Sequence, residues 1–319
     1  MENKKIDFCM ICKKKFDEVV VSSKEHIIPE ALGNTKLVTW GVCKKCNNDL
    51  GSIIDSYLGN NIISKLLRIS ELEKDKNIKL FNAPLQDSNG IKYLIKNGKP
   101  ELIPNIDIKE NKDNIVNIKA TFSSEKECKD FLTKKLRREF KFLSEQDIEN
   151  ILNNPISITP EKNSSIELKY DEKINYGKIY PAIIKIAYEY AVEKLGISYI
   201  ENNFAEKIRN YLYKAITTKT DINYDFCYKV CSYVDFNFFD YNNIIEMCKN
   251  IVSVENFELS KIRHFICLGN FYEKVFCMMR LFNNDFLTFK ILLSDNMVFQ
   301  NNKKFFISFI MNNNEIVEF

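Results

Sequence analysis

The stretch that decides the fold runs from Cys9-Met10-Ile11-Cys12, through Ser23-Lys24-Glu25-His26-Ile27-Ile28-Pro29, to Cys43-Lys44-Lys45-Cys46-Asn47-Asn48. Each Cys-x-x-Cys pair can supply two thiolates from one turn, and two such pairs make the ligand set of a tetrahedral zinc ion. Four thiolates fill the tetrahedron, so zinc at Cys9, Cys12, Cys43 and Cys46 is expected to be structural. A segment this short buries little core. Metal binding is then expected to supply most of its folding free energy, on the order of 10 kcal/mol or more.

Between the pairs, Val19-Val20-Val21 reads as a strand. Pro29 pushes Ile28 toward extended geometry, which puts His26 on or at the end of a strand. Gly33-Asn34 is a turn signal, and Leu37 to Val42 is a returning strand carrying Trp40, the only tryptophan. The apolar spacing of Leu50, Ile53, Ile54, Tyr57 and Leu58 predicts a helix over 44–58. Strand, loop, strand and helix then bring Asn47, at the helix start, back toward Glu25 and His26. A neutral imidazole can take a proton from water near neutral pH. A carboxylate and an amide oxygen can hold a hard divalent cation such as Mg²⁺. The combination suits attack on a phosphodiester.

Cys-x-x-Cys, then Glu25-His26-Ile27-Ile28-Pro29-Glu30-Ala31-Leu32-Gly33, then Cys-x-x-Cys-Asn-Asn-x-x-Gly resembles the zinc-bearing HNH endonucleases of the ββα-metal fold. The likeness covers about residues 5 to 60. It implies His26 as general base, Glu25 and Asn47 as holders of a catalytic Mg²⁺ or Mn²⁺, and the four cysteines as structural zinc ligands. Two positions depart from the family pattern. Glu25 stands where aspartate is common, and Val38 stands where a middle asparagine orients the catalytic loop. Asn34, Thr39 and Asn48 are the candidates to replace that asparagine, with Asp55 a further group behind the site.

Lys+Arg 46 against Asp+Glu 43 leaves a formal charge of +3, so a nucleic-acid surface must come from local clustering. Residues 1–15 are polar and lack the apolar core of a signal segment. The best apolar run, Ile179 to Leu195, is interrupted by Lys185, Glu189 and Glu193, so no membrane span is expected. A cytoplasmic protein follows, whose other cysteines (Cys128, Cys227, Cys231, Cys248, Cys267, Cys277) are free and buried. His264, in Ile262-Arg263-His264-Phe265-Ile266, reads as a satisfied core histidine.

The expected fold class is α+β: a small N-terminal ββα-metal zinc domain, residues 1–62, followed by a larger α+β region with antiparallel strands. Residues 63–160 read as a mixed connecting region. Within it come a hairpin around Asn97-Gly98, a strand over 115–122, a helix over 124–142 with the basic run Lys134-Lys135-Leu136-Arg137-Arg138, and a short helix from Ser144. The basic run reads as a solvated helix face. Residues 155–165 read as a linker. Residues 161–319 read as an α+β domain with an amphipathic helix from Pro181 to Leu195, a second helix over 200–214, and an aromatic-rich antiparallel meander from Phe226 onward.

The function these features predict is a metal-dependent endonuclease acting on DNA, by analogy in anti-phage defence. The C-terminal region would sense a partner or ligand, and a homodimer would serve cutting of both strands. The alternatives are a zinc-clip nucleic-acid-binding protein with a degenerate nuclease site, and an interaction module whose zinc clip is purely structural.

Overall fold

The computed structural model describes residues 6–71, 84–87, 89–96, 99–110, 116–154, 175–218, 224–233, 261–271, 273–297 and 305–318. Contacts divide the chain into two units, residues 1–73 together with 174–319, and residues 74–173.

The first unit opens on the Cys9–Cys12 knuckle, closed by Cys9 N–H to Lys14 O and Lys13 N–H to Cys9 O, both 2.8 Å. Val19-Val20-Val21 is not a strand. The Asp17 carboxylate captures the N–H groups of Val19 and Val20 at 2.8 and 2.6 Å and holds them in a bend, leaving Val19 exposed. Strand β1 (Ser22–His26) begins just after and pairs antiparallel with β2 (Val38–Cys43), His26 opposite Val38 and Glu25 opposite Thr39. A bulge sets Trp40 and Gly41 of β2 against Lys24. The knuckle packs closely on the strand at Gly41, where a Cβ would lie 2.3 Å from the Met10 methyl and require that side chain to move.

Helix α1 (Lys44–Asp49) follows directly, widens into a π-helical turn over Leu50–Asp55, and resumes as α2 (Ser56–Asn60), with α3 (Ile62–Glu71) beyond. The helix expected over 44–58 is thus continuous in direction but locally underwound, the kind of π-bulge often found at functional sites.

The second unit holds two small antiparallel sheets and a helix pair. β3 (Leu85–Gln86), β4 (Lys92–Lys96) and β5 (Lys99–Leu102) form one sheet, and β6 (Asn105–Glu110) with β7 (Val116–Thr121) the other. The expected turn at 97–98 and the expected linker at 155–165 lie outside the described residues. α4 (Glu125–Glu139) is N-capped by Ser124, and α5 (Glu145–Asn153) by a capping box of Ser144 and Asp147. Leu132, Leu136 and Ile148 bury the contact between the two helices. The basic run of α4 faces solvent, with Arg137 bonded to Glu145 and Arg138 to Glu139.

In the first unit the chain resumes as α6 (Tyr176–Leu195). This helix departs from the expected amphipathic reading: Gly177 and every residue from Ile179 to Val192 are buried. It is buried because it has partners on opposite sides. Tyr190 hydrogen-bonds Ser308 of the C-terminal sheet at 2.7 Å, while Tyr188 donates to Met10 O of the knuckle at 2.9 Å. α7 (Ile197–Ile200), α8 (Asn203–Thr218) and α9 (Tyr224–Val230) follow. The aromatic run from Phe226 therefore begins as helix and, among its described residues, turns to strand at Cys231–Tyr233 (β8).

The sheet is six-stranded and antiparallel, with β9 (Ile262–Phe271), β10 (Lys274–Arg280), β11 (Thr288–Ser294), β12 (Phe305–Met311) and β13 (Ile316–Glu318). Its order is β13-β12-β9-β10-β11-β8, so the meander of β9 to β11 is broken when β12 returns beside β9. Cys227, Cys231, Cys267 and Cys277 are buried; Cys128 is half-buried, and Cys248 lies outside the described residues. No helix among the described residues is long and apolar enough to cross a membrane.

Ile27, Ile28, Leu32, Leu50 and Leu58 are fully buried in the same core as α6. At about 1.5–3 kcal/mol for each such side chain, this shared burial rather than local propensity holds the N-terminal segment in place. Deleting residues 1–62 is therefore expected to expose α6 and give an aggregating fragment; a monodisperse, cooperatively melting fragment on size exclusion and calorimetry would contradict this.

Candidate active site and zinc cage

The cysteine sulfurs of Cys9, Cys12, Cys43 and Cys46 all lie within 4.8 Å of one another, with Cys12 and Cys43 3.9 Å apart. A tetrahedron with zinc–sulfur bonds near 2.3 Å has an edge of about 3.8 Å, so the four residues fit zinc. Backbone N–H groups already point at the sulfurs: Cys43 N–H at Cys9 Sγ (3.3 Å) and Cys46 N–H at Cys43 Sγ (3.5 Å). Such donors favour thiolates. The hydrogen bond from Cys46, with help from backbone N–H groups, draws the Cys9 thiol down to about 5, while burial and the neighbouring sulfurs lift Cys12 to about 11. Four thiols this close cannot all ionise without a cation among them, which is the role zinc would fill.

Strand alternation sorts the catalytic candidates. His26 ends β1 on the face shared with Lys24, Val38 and Trp40, and its side chain keeps 20% of its exposure. Burial holds its pKa below the ordinary histidine value, against the opposing pull of Glu30, whose carboxylate lies 3.8 Å from Nδ1. The ring is therefore neutral at neutral pH, the form a base needs. Trp40 stands 60% exposed on that same face.

Glu25 points the other way, into the protein, with Thr39. Its carboxylate is bonded to the ammonium of Lys185 from α6, a side chain with no exposure at all. That ammonium also meets Asp55 at 2.9 Å, Glu189 at 3.6 Å and the main-chain oxygen of His26 at 3.3 Å. Asn47 binds the main chain of β1, its amide nitrogen donating to Lys24 O at 2.8 Å and Ser23 Oγ at 3.1 Å. The structure thus brings His26, Glu25 and Asn47 to one strand end. It does not leave Glu25 open to a cation, which would have to displace the lysine.

Asn34 takes up the bracing work that Val38 cannot do. Fully buried, it donates to Ile28 O (2.8 Å) and Leu37 O (2.9 Å) and accepts from Leu37 N–H (2.9 Å), tying both ends of the loop after His26. Thr39 instead caps its own strand through Gly41 N–H. Gly33, at φ 89°, supplies the left-handed turn that starts this loop's return. The C-terminal sheet grips the loop from outside. His264 Nε2 donates to Leu32 O at 2.9 Å while Nδ1 accepts from Phe282 N–H at 3.2 Å, and Arg263 donates to Gly33 O at 3.0 Å. His264 is thus the satisfied core histidine expected, held neutral by burial with its pKa near 3.

Comparison with known proteins fits this arrangement. Residues 9–63 match the family described as HNH endonuclease. No curated protein and no solved structure matches the chain. The resemblance read from the knuckles and Glu25-His26 is borne out for this segment, and the α+β class with it; the match covers well under half of the chain.

Sequence reasoning missed Lys185, Arg263 and the docking role of His264. The signal for Lys185 was present: an i,i+4 Lys–Glu pair inside an apolar helical run marks a buried ion pair as well as it breaks a membrane span.

Chelating the metal from the HNH domain is expected to abolish its tertiary structure, with one zinc per chain by elemental analysis beforehand; a chelated protein with an unchanged near-UV spectrum would contradict the zinc assignment. Asn34→Ala leaves two buried carbonyls without their donor and should destabilise by about 2–5 kcal/mol, read from chemical denaturation. Burial raises the pKa of Glu189 well above the ordinary carboxyl value, against the pull of Lys185. The folded state therefore binds this proton more tightly than the unfolded chain, and stability falls as pH rises from about 4.5 through the raised value. Glu189→Gln should remove that decline, seen as a higher Tm at neutral pH.

Proposed function

We propose that the HNH domain is a phosphodiester hydrolase acting on DNA, with His26 as general base. The observation that carries this is a half-buried imidazole at the end of β1, on the exposed face of a ββα hairpin clipped by four clustered cysteines. His26 takes the proton from the attacking water as the oxygen–phosphorus bond forms, and Glu30 stabilises the imidazolium that results. The bond from phosphorus to the 3′ oxygen breaks, and that oxygen takes a proton from solvent water. Beside it, Trp40 offers an exposed ring for a base to stack on, and Lys24 a cation for a phosphate.

A divalent cation, Mg²⁺ or Mn²⁺, is the expected cofactor and would stabilise charge on the phosphoryl oxygens. Of its two expected ligands only Asn47 keeps an available oxygen, since Glu25 is held by Lys185; no step is assigned through the metal. That same ion pair favours the second reading, a DNA-binding domain whose nuclease site is inactive. Action in anti-phage defence rests on analogy with nucleases that carry large unfamiliar partners, and plaque counts on cells carrying wild type or His26→Ala would test it.

Supercoiled plasmid with Mg²⁺ or Mn²⁺ is expected to be nicked by the zinc-loaded wild type and at least about 100-fold more slowly by His26→Ala; equal rates would leave the binding-only reading standing. Because a base is lost by protonation, kcat/KM should fall only as pH drops below the ordinary histidine value near 6.5 and stay flat through neutral pH. Stacking is worth about 1–3 kcal/mol per base, so Trp40→Ala should weaken DNA binding by about fivefold or more, measured by fluorescence anisotropy.

A further inference from the structure

We propose that Lys185 is a positioning residue for His26 and the resident cation of the pocket behind it, so that Glu25 serves as an anchor for the strand end and not as a metal ligand. The kinetic part of this proposal rests on the nuclease reading above; the part concerning Glu25 does not.

The geometry is that of a coordinated cation. One fully buried ammonium is ringed by oxygens of Glu25, Asp55 and Glu189 and by the main-chain oxygen of His26. Two of its contacts are to consecutive residues, the carboxylate of Glu25 and the carbonyl of His26, so it fixes the strand end on which the base sits. Alternation puts the His26 ring on the opposite face. Lys185 therefore acts on the ring through the backbone and not by touching it.

The elements that bring the oxygens together lie far apart in the chain. Glu25 comes from β1 and Asp55 from the π-helical turn, while Lys185 and Glu189 lie one helical turn apart on α6. The widened turn matters here, since Asp55 is its last residue and reaches the ammonium from there. A buried ammonium is stable only when paired, and its partners are stable only while it is present. A divalent ion at Glu25 would have to displace the ammonium of Lys185, a side chain with no exposure to water. Among the described residues, the only group of acidic, histidine or cysteine side chains arranged to hold a metal is the four-cysteine cage.

The test uses the full-length, zinc-loaded protein and three readouts. Mn²⁺ binding is titrated by the loss of its free electron-paramagnetic-resonance signal. The His26 ring is followed by ¹H–¹⁵N spectroscopy, which is simple because the chain has two histidines and His26→Ala assigns them. Plasmid nicking supplies kcat and KM. The expected results are that Glu25→Gln changes Mn²⁺ affinity by less than twofold, and that Lys185→Met shifts the His26 resonances and lowers kcat at least tenfold with KM within twofold. Lys185→Arg should restore both. If Lys185→Met does not fold, the double variant Lys185→Met/Glu25→Gln, which removes the pair together, is held to the same readouts. The proposal is overturned if Glu25→Gln weakens Mn²⁺ binding more than tenfold, or if the His26 resonances are unmoved by loss of Lys185. If wild type nicks nothing, the nuclease reading fails alone, and the resonance and Mn²⁺ readouts still decide the role of Lys185.

Discussion

A single ammonium, that of Lys185, ties the N-terminal hairpin to the central helix α6. Burying an unpaired charge is prohibitive, so wherever α6 goes, Glu25 and Asp55 must follow. Removing the lysine would leave the buried acidic groups of Glu25, Asp55 and Glu189 without their cation, a loss on the order of 3–5 kcal/mol and comparable with the whole stability of many domains. The pair is therefore less a source of stability than a specification. It fixes which face of the hairpin meets the helix and hence which face carries His26 to the surface.

The loop after His26 is determined with the same redundancy. Asn34 closes it from within, while Arg263 and His264 of β9 hold the carbonyls of Gly33 and Leu32 from without. On the other side of the hairpin, the four clustered cysteines join the knuckle to the end of β2 and the start of α1, and Tyr188 of α6 reaches the knuckle through Met10 O. The hairpin that carries His26 is thus clamped at three places, each by a residue more than 150 positions away in sequence. Pre-organisation of this kind is what a general base requires, since small displacements of a reacting group are costly in rate. It also means that the C-terminal half is part of the machinery that shapes the site.

α6 shows how a local pattern can be overridden. Its charged residues at 185 and 189 make the sequence look amphipathic, because charge ordinarily marks a solvent face. Here the charges face the N-terminal hairpin, where partners await them, and the remaining circumference is covered by the sheet together with α8 and α9. The aromatic run from Phe226 misleads for a similar reason. β-favouring residues are residues that fit a half-buried surface, and in α9 Cys227 and Val230 meet that requirement on a helix.

The sequence alone determined the four-cysteine cluster, the ββα order and the likeness of residues 9–63 to the HNH endonucleases, because these depend on short-range spacing: two residues between thiols, a histidine three residues before a proline, an asparagine just after the last cysteine. It also carried the second unit's helix caps at Ser124 and Ser144, which are local by nature. Three things were decided only by tertiary structure. Asn34 and not Thr39 or Asn48 braces the loop, because only the folded loop brings both its ends within reach of one amide. Glu25 turns inward and His26 outward, because the core needs one face of β1. And Glu25 finds Lys185, a contact across 160 residues that no spacing rule encodes, since a buried charge selects its partner by proximity in the folded interior and not by distance along the chain.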